Sequence, residues 1–446
     1  MSSTLFTTTA TSLHTGAARP VAAGGSAVEQ TTIAFLHRGH DWIRGSEQCL
    51  LDLMARVDRS RFRPLLVCEQ PTLARAAATI GADVVQLDPA VSDWTVLRSR
   101  EARPALRKQL RDVFLERRVR IVHSNVSAIL PIVIPVARSA RLPVVCHLHL
   151  PVTDERNRRH ELVHQADVTV GVAEHVVRPL RADGVAPERL RVIYNAVDTD
   201  RLGRGDARGL REALGIPDEA LAVAWIGSLI YRKGPDVMLR AVAAARARGK
   251  DVRLLICGDG DEAEAQEYRA LATALGLDAS AHFLGYRTDV GAVMRDACDI
   301  FVSTAREEML PLNVLEAQYV GIPVIASDIP AHYEATIPGT SAVLVRGEDP
   351  DALARAIVEL ADAPERRAAM RIAGPRVVAE RFSMDRYVGA FEALYAELLA
   401  RPRGDFGWVR GVYWPTLYTT WVRRNVRRRL GFGVARGGTA NAALTT

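Results

Sequence analysis

Short runs of β-branched, aliphatic and aromatic residues recur along this chain, each followed by a glycine- or proline-marked turn and an amphipathic stretch. Thr32 to Leu36, Pro64 to Cys68, Val84 to Leu87, Arg120 to His123, Leu142 to Leu150, Asp167 to Val172 and Leu190 to Ile193 read as strands of a first half. Leu221 to Ile226, Arg253 to Cys257, His282 to Gly285, Ile300 to Val302, Pro323 to Ala326 and Ala342 to Val345 repeat the pattern. Leu50, Leu53, Met54 and Val57, then Leu106, Leu110, Val113 and Phe114, mark helix faces between strands, as do the stretches Pro350 to Leu360 and Tyr387 to Leu399. Runs that are apolar throughout, alternating with helices, belong to parallel sheets covered on both faces. The chain therefore reads as α/β, with two doubly wound domains. Its 446 residues, 48% hydrophobic and 25% charged, suffice for two cores of ordinary size. The units are taken as 30–198 and 199–400. Residues 1–29, rich in Thr, Ala, Ser and Gly without the apolar core of a signal peptide, are expected to be a disordered leader.

Asp299 to Ala326 carries the densest chemistry. Ile300 to Val302 form a strand, Pro311 can open a helix, Val314, Leu315 and Tyr319 give its apolar face, and Gly321 stops it. Such a unit aims its loop and helix start at the carboxyl edge of the sheet, where open α/β folds bind ligands. Free N–H groups and a partial positive charge there suit phosphate. Glu316, about one turn inside the helix, can accept both hydroxyls of a ribose diol, and Glu308, before the helix, would face a sugar. Two solvated glutamates on an amphipathic helix account for the spacing equally well.

Glu308 and Glu316, with seven residues between them, resemble the E-x7-E element of the retaining glycosyltransferases of family four. Asp299, Pro311, Leu315, Glu316, Ala317, Gly321, Pro323 and Val324 fall in the family's pattern without a gap. The resemblance implies the GT-B fold: two Rossmann-like domains facing across a cleft, with an acceptor-side domain at 30–198 and a nucleotide-sugar domain at 199–400. One departure is Met309, where the family usually has Gly, which implies a less close approach of the loop to the donor.

Other motifs extend the resemblance. Gly45-Ser46-Glu47 is similar to the family's Gly-Gly-Ala-Glu loop, with Arg44 in place of the first Gly; an ordinary βα turn reads the same way. In Gly227-Ser228-Leu229-Ile230-Tyr231-Arg232-Lys233-Gly234-Pro235, a strand, a glycine loop and a Pro-started helix build an anion site with two adjacent cations. Only three of the 58 basic residues are lysines, Lys108, Lys233 and Lys250, so Lys233 here points to a point charge for diphosphate. This loop resembles Gly-Arg-Leu-x-x-x-Lys-Gly, with Ser228 replacing the Arg and Arg232 expected to supply the second charge. His149, at the end of its strand, matches the His that meets the donor sugar in the family; a buried hydrogen-bonded His is the alternative, more so for His147 and His123. Donor contacts are also implied for Gly45, Gly227, Leu310, Pro311 and Leu312, and for Arg287 near the base. Gly258-Asp259-Gly260 is similar to the family's glycine turn, and Tyr194 to Asp198 to its Asn-Gly-Val-Asp linker. Asp198-Thr199-Asp200 and Asp259-Gly260-Asp261 spell D-x-D by chance, and no metal site is expected.

The five cysteines (Cys49, Cys68, Cys146, Cys257, Cys298) lack a metal or redox spacing and read as buried reduced thiols, which points to a cytoplasmic protein. No run of 18 apolar residues exists. Of the net charge of +6, residues 401–446 hold +8, nine arginines against Asp405, so the first 400 residues sum to −2. Tail aromatics Trp408, Tyr413, Trp414, Tyr418 and Trp421 beside these arginines suit the inner face of an anionic membrane, nucleic acid (not expected here), or simple packing.

The resemblance, covering about residues 30–400, implies a retaining, metal-independent glycosyltransferase of polysaccharide or glycolipid synthesis. It implies no cofactor, a nucleoside diphosphate sugar donor with UDP the expected carrier, and a sugar or lipid-linked acceptor. Glu308, His149 and Lys233 would be catalytic; Arg232, Lys233 and Glu316 would bind the donor. A GT-B sugar-nucleotide epimerase would bind a similar donor without an acceptor. A non-catalytic sugar-nucleotide-binding protein would fit Met309 and Ser228.

Overall fold

A computed structural model of the protein describes residues 30–87, 102–150, 152 and 154–408. The leader expected at 1–29 and the tail from 409 onward lie outside the described residues. Each half is a parallel sheet with helices on its faces, as the continuous apolar runs require. The first holds β1 (Thr31–Leu36), β2 (Phe62–Cys68), β3 (Asp83–Gln86), β4 (Val119–Ser124), β5 (Val144–Leu148), β6 (Val168–Gly171) and β7 (Leu190–Val192), in the order β3-β2-β1-β4-β5-β6-β7. The second holds β8 (Leu221–Ile226), β9 (Val252–Cys257), β10 (Ala281–Gly285), β11 (Ile300–Ser303), β12 (Val324–Ser327) and β13 (Ala342–Val345), in the order β10-β9-β8-β11-β12-β13. The order reverses between β1 and β4 and between β8 and β11. Loops leaving those strands diverge there and open a crevice at the carboxyl edge.

All strand bounds agree with the sequence reading to within two residues, and β5 is shortened by two at each end. Pro143 has no N–H to give the ladder, and the Leu142 N–H instead closes the preceding helix on the Ala137 carbonyl (2.9 Å), so pairing starts at Val144. Pairing stops at Leu148, which leaves His149 just beyond the edge. The helix after the acidic loop runs Leu312–Tyr319 with Pro311 as its N-cap, and Gly321 follows with φ +80°. Helix Pro364–Arg381 was not expected from sequence, because Gly374 and Pro375 lie inside it. A Cβ on Gly374 would sit 2.8 Å from the Gln318 carbonyl oxygen, so the glycine permits this helix to lie tightly on Leu312–Tyr319.

Helix Met384–Ala400 crosses back and completes the first core. Its Phe391, Leu394, Tyr395 and Leu398 are buried in one cluster with Ile33, Phe35, Leu50 and Leu66. The Tyr387 hydroxyl donates to the Cys49 carbonyl (3.2 Å), and Tyr395 Oη lies 2.7 Å from His123 Nδ1. The two strands of chain joining the halves run side by side, with Val197 N–H bonded to the Phe382 carbonyl (3.1 Å). All five cysteines are free and buried. No helix among the described residues is long and apolar enough to cross a membrane.

Candidate functional site

The two carboxyl edges face one another across a cleft of about 970 Å³. Gly45, His149, Gly227, Arg232, Lys233, Arg287, Glu308, Leu310, Pro311, Leu312 and Glu316 all line it. The sequence named these residues from separate motifs; the switch points bring them together.

On the second domain, the loop after β8 delivers the cations and the loop after β11 delivers Glu308. Gly234 adopts φ +68°, and a Cβ there would fall 2.2 Å from the Thr304 carbonyl oxygen, so the cation loop can press against the end of β11. Thr304 Oγ accepts from Trp225 Nε1 (3.0 Å) and lies 2.7 Å from the Gly234 carbonyl, pinning the two loops together. Gly258, in the glycine turn after β9, is equally constrained: its Cβ would lie 1.8 Å from the Gly227 carbonyl oxygen.

Glu308 is clamped by both cations. Lys233 Nζ donates to its Oε1, and Arg232 Nη1 lies 3.2 Å from its Oε2 while donating to the Glu307 carbonyl (2.8 Å). Burial opposes ionisation of Glu308, but Lys233 and then Arg232 outweigh it and hold the carboxyl below its ordinary range. Ser228, in place of an arginine, lines the cleft, as does Arg232. Met309 is 6% exposed within the apolar core. Burial raises the Glu316 carboxyl; Arg201 pulls it back part of the way and Asp52 adds to the rise. Arg287 forks onto Asp289 at 2.9 and 2.6 Å.

On the first domain, the loop between β1 and the helix Gly45–Arg56 carries Arg44, whose guanidinium stacks 3.8 Å over the Trp42 ring. His149 Nε2 lies 2.9 Å from Asn125 Oδ1, with the His147 ring 4.1 Å away. Burial, with the nearby His37, lowers its pKa to about 3, so its imidazole is neutral.

Several residues around the site were missed from sequence. Arg306 donates to the Tyr231 carbonyl (2.7 Å), pairs with Asp236 (2.8 Å) and Glu348 (2.6 Å), and so fixes the cation loop. His175 of the first domain lies 3.2 Å from the Glu308 carbonyl and 2.7 Å from Glu334, which also accepts from the Glu174 N–H (2.6 Å), joining the two walls. No local pattern marks Arg306 or Glu334. His37 and Asn125 carry one signal, a polar residue directly after a buried strand. Asp198 and Asp261 of the two D-x-D triplets are helix N-caps, accepting from Asp200, Arg201 and Ala263 N–H groups. Among the described residues, no group of three His, Cys, Asp or Glu is placed to hold a metal ion.

Two family models match this chain: "Glycosyltransferase Family 4" over residues 43–201 and "Glycosyl transferases group 1" over residues 206–377. It is 33% identical over 257 residues to the D-inositol 3-phosphate glycosyltransferase of Corynebacterium glutamicum, covering 55% of this chain and 60% of the relative. To the enzyme of that name from Corynebacterium aurimucosum it is 30% identical over 285 residues, 60% of this chain and 67% of the relative. The chain thus spans about 60% of the length of the first of these curated relatives. Among solved structures, Anabaena Alr3699/HepE in complex with UDP and glucose superposes with a TM-score of 0.72 at 20% identity, over 82% of this chain and 100% of that one. The architecture is GT-B, two Rossmann-like domains.

Proposed function

This chain belongs to the group 1, family four glycosyltransferases, and from that membership we propose that it moves a sugar from a nucleoside diphosphate donor to an acceptor hydroxyl, with the anomeric configuration retained. The observation that carries the reading is the Lys233–Glu308–Arg232 cluster at the second switch point, across the cleft from His149. As the glycosidic bond breaks, negative charge grows on the diphosphate. Lys233, Arg232 and the start of helix Leu312–Tyr319 line the cleft where they can meet it. Side-chain cations would then supply the leaving-group stabilisation that a divalent metal gives elsewhere. Released from the cations, Glu308 would position the sugar together with His149, and Glu316 would take the ribose diol.

UDP is the first carrier to try, since the fold neighbour Alr3699/HepE was solved with it. D-inositol 3-phosphate, which the relatives' names carry, is the first acceptor; a lipid-linked acceptor of glycolipid or polysaccharide synthesis is the second, given the basic aromatic tail. Calorimetric titration with UDP, GDP and ADP and their sugars tests the donor class. Lys233→Ala should lower kcat by about a hundredfold or more, from the cost of removing one oxyanion-stabilising donor. Turnover near wild type would refute its role.

A further inference from the structure

We propose that His37 and Asn125, with the Glu47 carboxylate beside His37, form a relay that fixes His149 as an acceptor at Nδ1, so that the donor sugar must offer it a hydroxyl proton. The inference rests on the reading above and adds to it three positioning residues and a specificity rule.

The topology places the parts. β1, β4 and β5 are neighbours in the sheet, and each is followed at its carboxyl end by one buried or half-buried polar residue: His37, Asn125 and His149. Asn125 Nδ2 lies 3.3 Å from the Ser46 carbonyl oxygen and 3.1 Å from His37 Nδ1. A backbone carbonyl only accepts, so the amide nitrogen, not its oxygen, must face Ser46. The two amide hydrogens are then used on Ser46 and His37, which leaves His37 Nδ1 bare and puts its proton on Nε2. That nitrogen lies 3.0 Å from Glu47 Oε1, off the ideal hydrogen-bond line, a contact more electrostatic than directional. Glu47 Oε2 is held by the Arg44 N–H at 3.0 Å, so the carboxylate is anchored at the helix start.

At the other end, Asn125 Oδ1 must accept from His149 Nε2 at 2.9 Å. A neutral imidazole has one N–H, now spent, so Nδ1 presents a lone pair. Among the described residues nothing hydrogen-bonds that atom. A sugar hydroxyl can donate to it; a fluorine or an ionised carboxylate in that place would set lone pair against lone pair. The titratable groups facing His149 are His147 in β5, His123 in β4, His37 after β1 and Glu47 in the first helix, and Glu47 reaches it through His37 and Asn125.

The direct test is nitrogen-15 NMR of histidine-labelled full-length protein, with His149 assigned by difference from His149→Gln. The Nε2–H tautomer is expected from pH 6 to 8. An Nδ1–H tautomer, or an even mixture, overturns the proposal, and this arm needs no donor or activity. Asn125→Ala should lower kcat/KM about tenfold, as expected for one lost hydrogen bond, while UDP affinity changes less than about twofold. Asn125→Asp keeps the shape but puts a carboxylate at Nε2, so the imidazolium is favoured and the His149 titration moves up by about one pH unit or more. With His149 at about 3 in wild type, transfer by that variant should then fall relative to wild type as pH drops from about 5 to 4. A profile superimposable on wild type would overturn the relay. Failure of every nucleotide sugar to bind wild-type protein would sink the proposed function instead.

Discussion

Replacing Glu308 by Gln should separate two jobs that one carboxylate performs. Without ligand, Glu308 pairs with Lys233 and Arg232, the cations proposed for the diphosphate. A diphosphate must therefore compete with Glu308 before it binds. At an effective dielectric of about 20, unit charges 3.2 Å apart, the Arg232–Glu308 separation, attract by about 5 kcal/mol. Arg232 is 36% exposed, and solvent screening and the desolvation of the buried carboxylate cancel most of that. A residue of about 1.4 kcal/mol is a tenfold effect. Glu308→Gln should thus bind UDP about tenfold more tightly by calorimetry, because its cations are free, while kcat falls by about a hundredfold or more with the sugar-positioning carboxylate gone. Weaker or unchanged UDP binding would refute the competition. Unchanged kcat would refute the role at the sugar.

Acid should unfold the first domain through its histidines. Burial pushes His123 and His149 down to about 3 and His147 well below its usual value, and Glu47 sits at about 2, where His37 and the Arg44 N–H outweigh its burial. A group whose folded pKa is depressed gives stability that is complete above its unfolded value, near 6.5 for His and 4.5 for Glu, and lost as pH falls toward the folded one. Each such histidine costs about 1.4 kcal/mol per pH unit below about 6.5, so Tm should drop steeply between pH 6 and 4. Proton uptake on unfolding at pH 5, measured calorimetrically in two buffers, should approach one per buried histidine, and an uptake near zero would refute the buried neutral assignment. Gly258→Ala forces its Cβ to within 1.8 Å of the Gly227 carbonyl in a backbone conformation closed to side chains, and should cost about 3 kcal/mol or more in urea unfolding. A cost under about 1 kcal/mol would mean the glycine turn opens freely.

Legibility followed range. Continuous apolar runs such as Leu221–Ile226 and Ile300–Ser303 carried their strand identity locally, because a strand buried on both faces tolerates little else. Glu308, Glu316, Lys233 and Gly45 were named from short motifs whose members lie within a few residues of one another. Helix Pro364–Arg381 escaped because its Gly374 answers to a distant helix, and β5 was drawn too long because Pro143 starts the pairing late.

The amino-acid order alone set two doubly wound halves and the loops that carry their polar groups, since burial on both faces and the helix period are properties of contiguous residues. Which loops meet was decided only in three dimensions. Strand order put Lys233 beside Glu308, 75 positions on, and set His37, Asn125 and His149 along one sheet edge. Helix Met384–Ala400 returned to fill the first core with Tyr395 against His123, 272 positions away. Hydrogen bonds and Coulomb forces act over a few ångströms of space whatever the separation along the chain, so protonation, tautomer and pairing in the cleft belong to the tertiary structure.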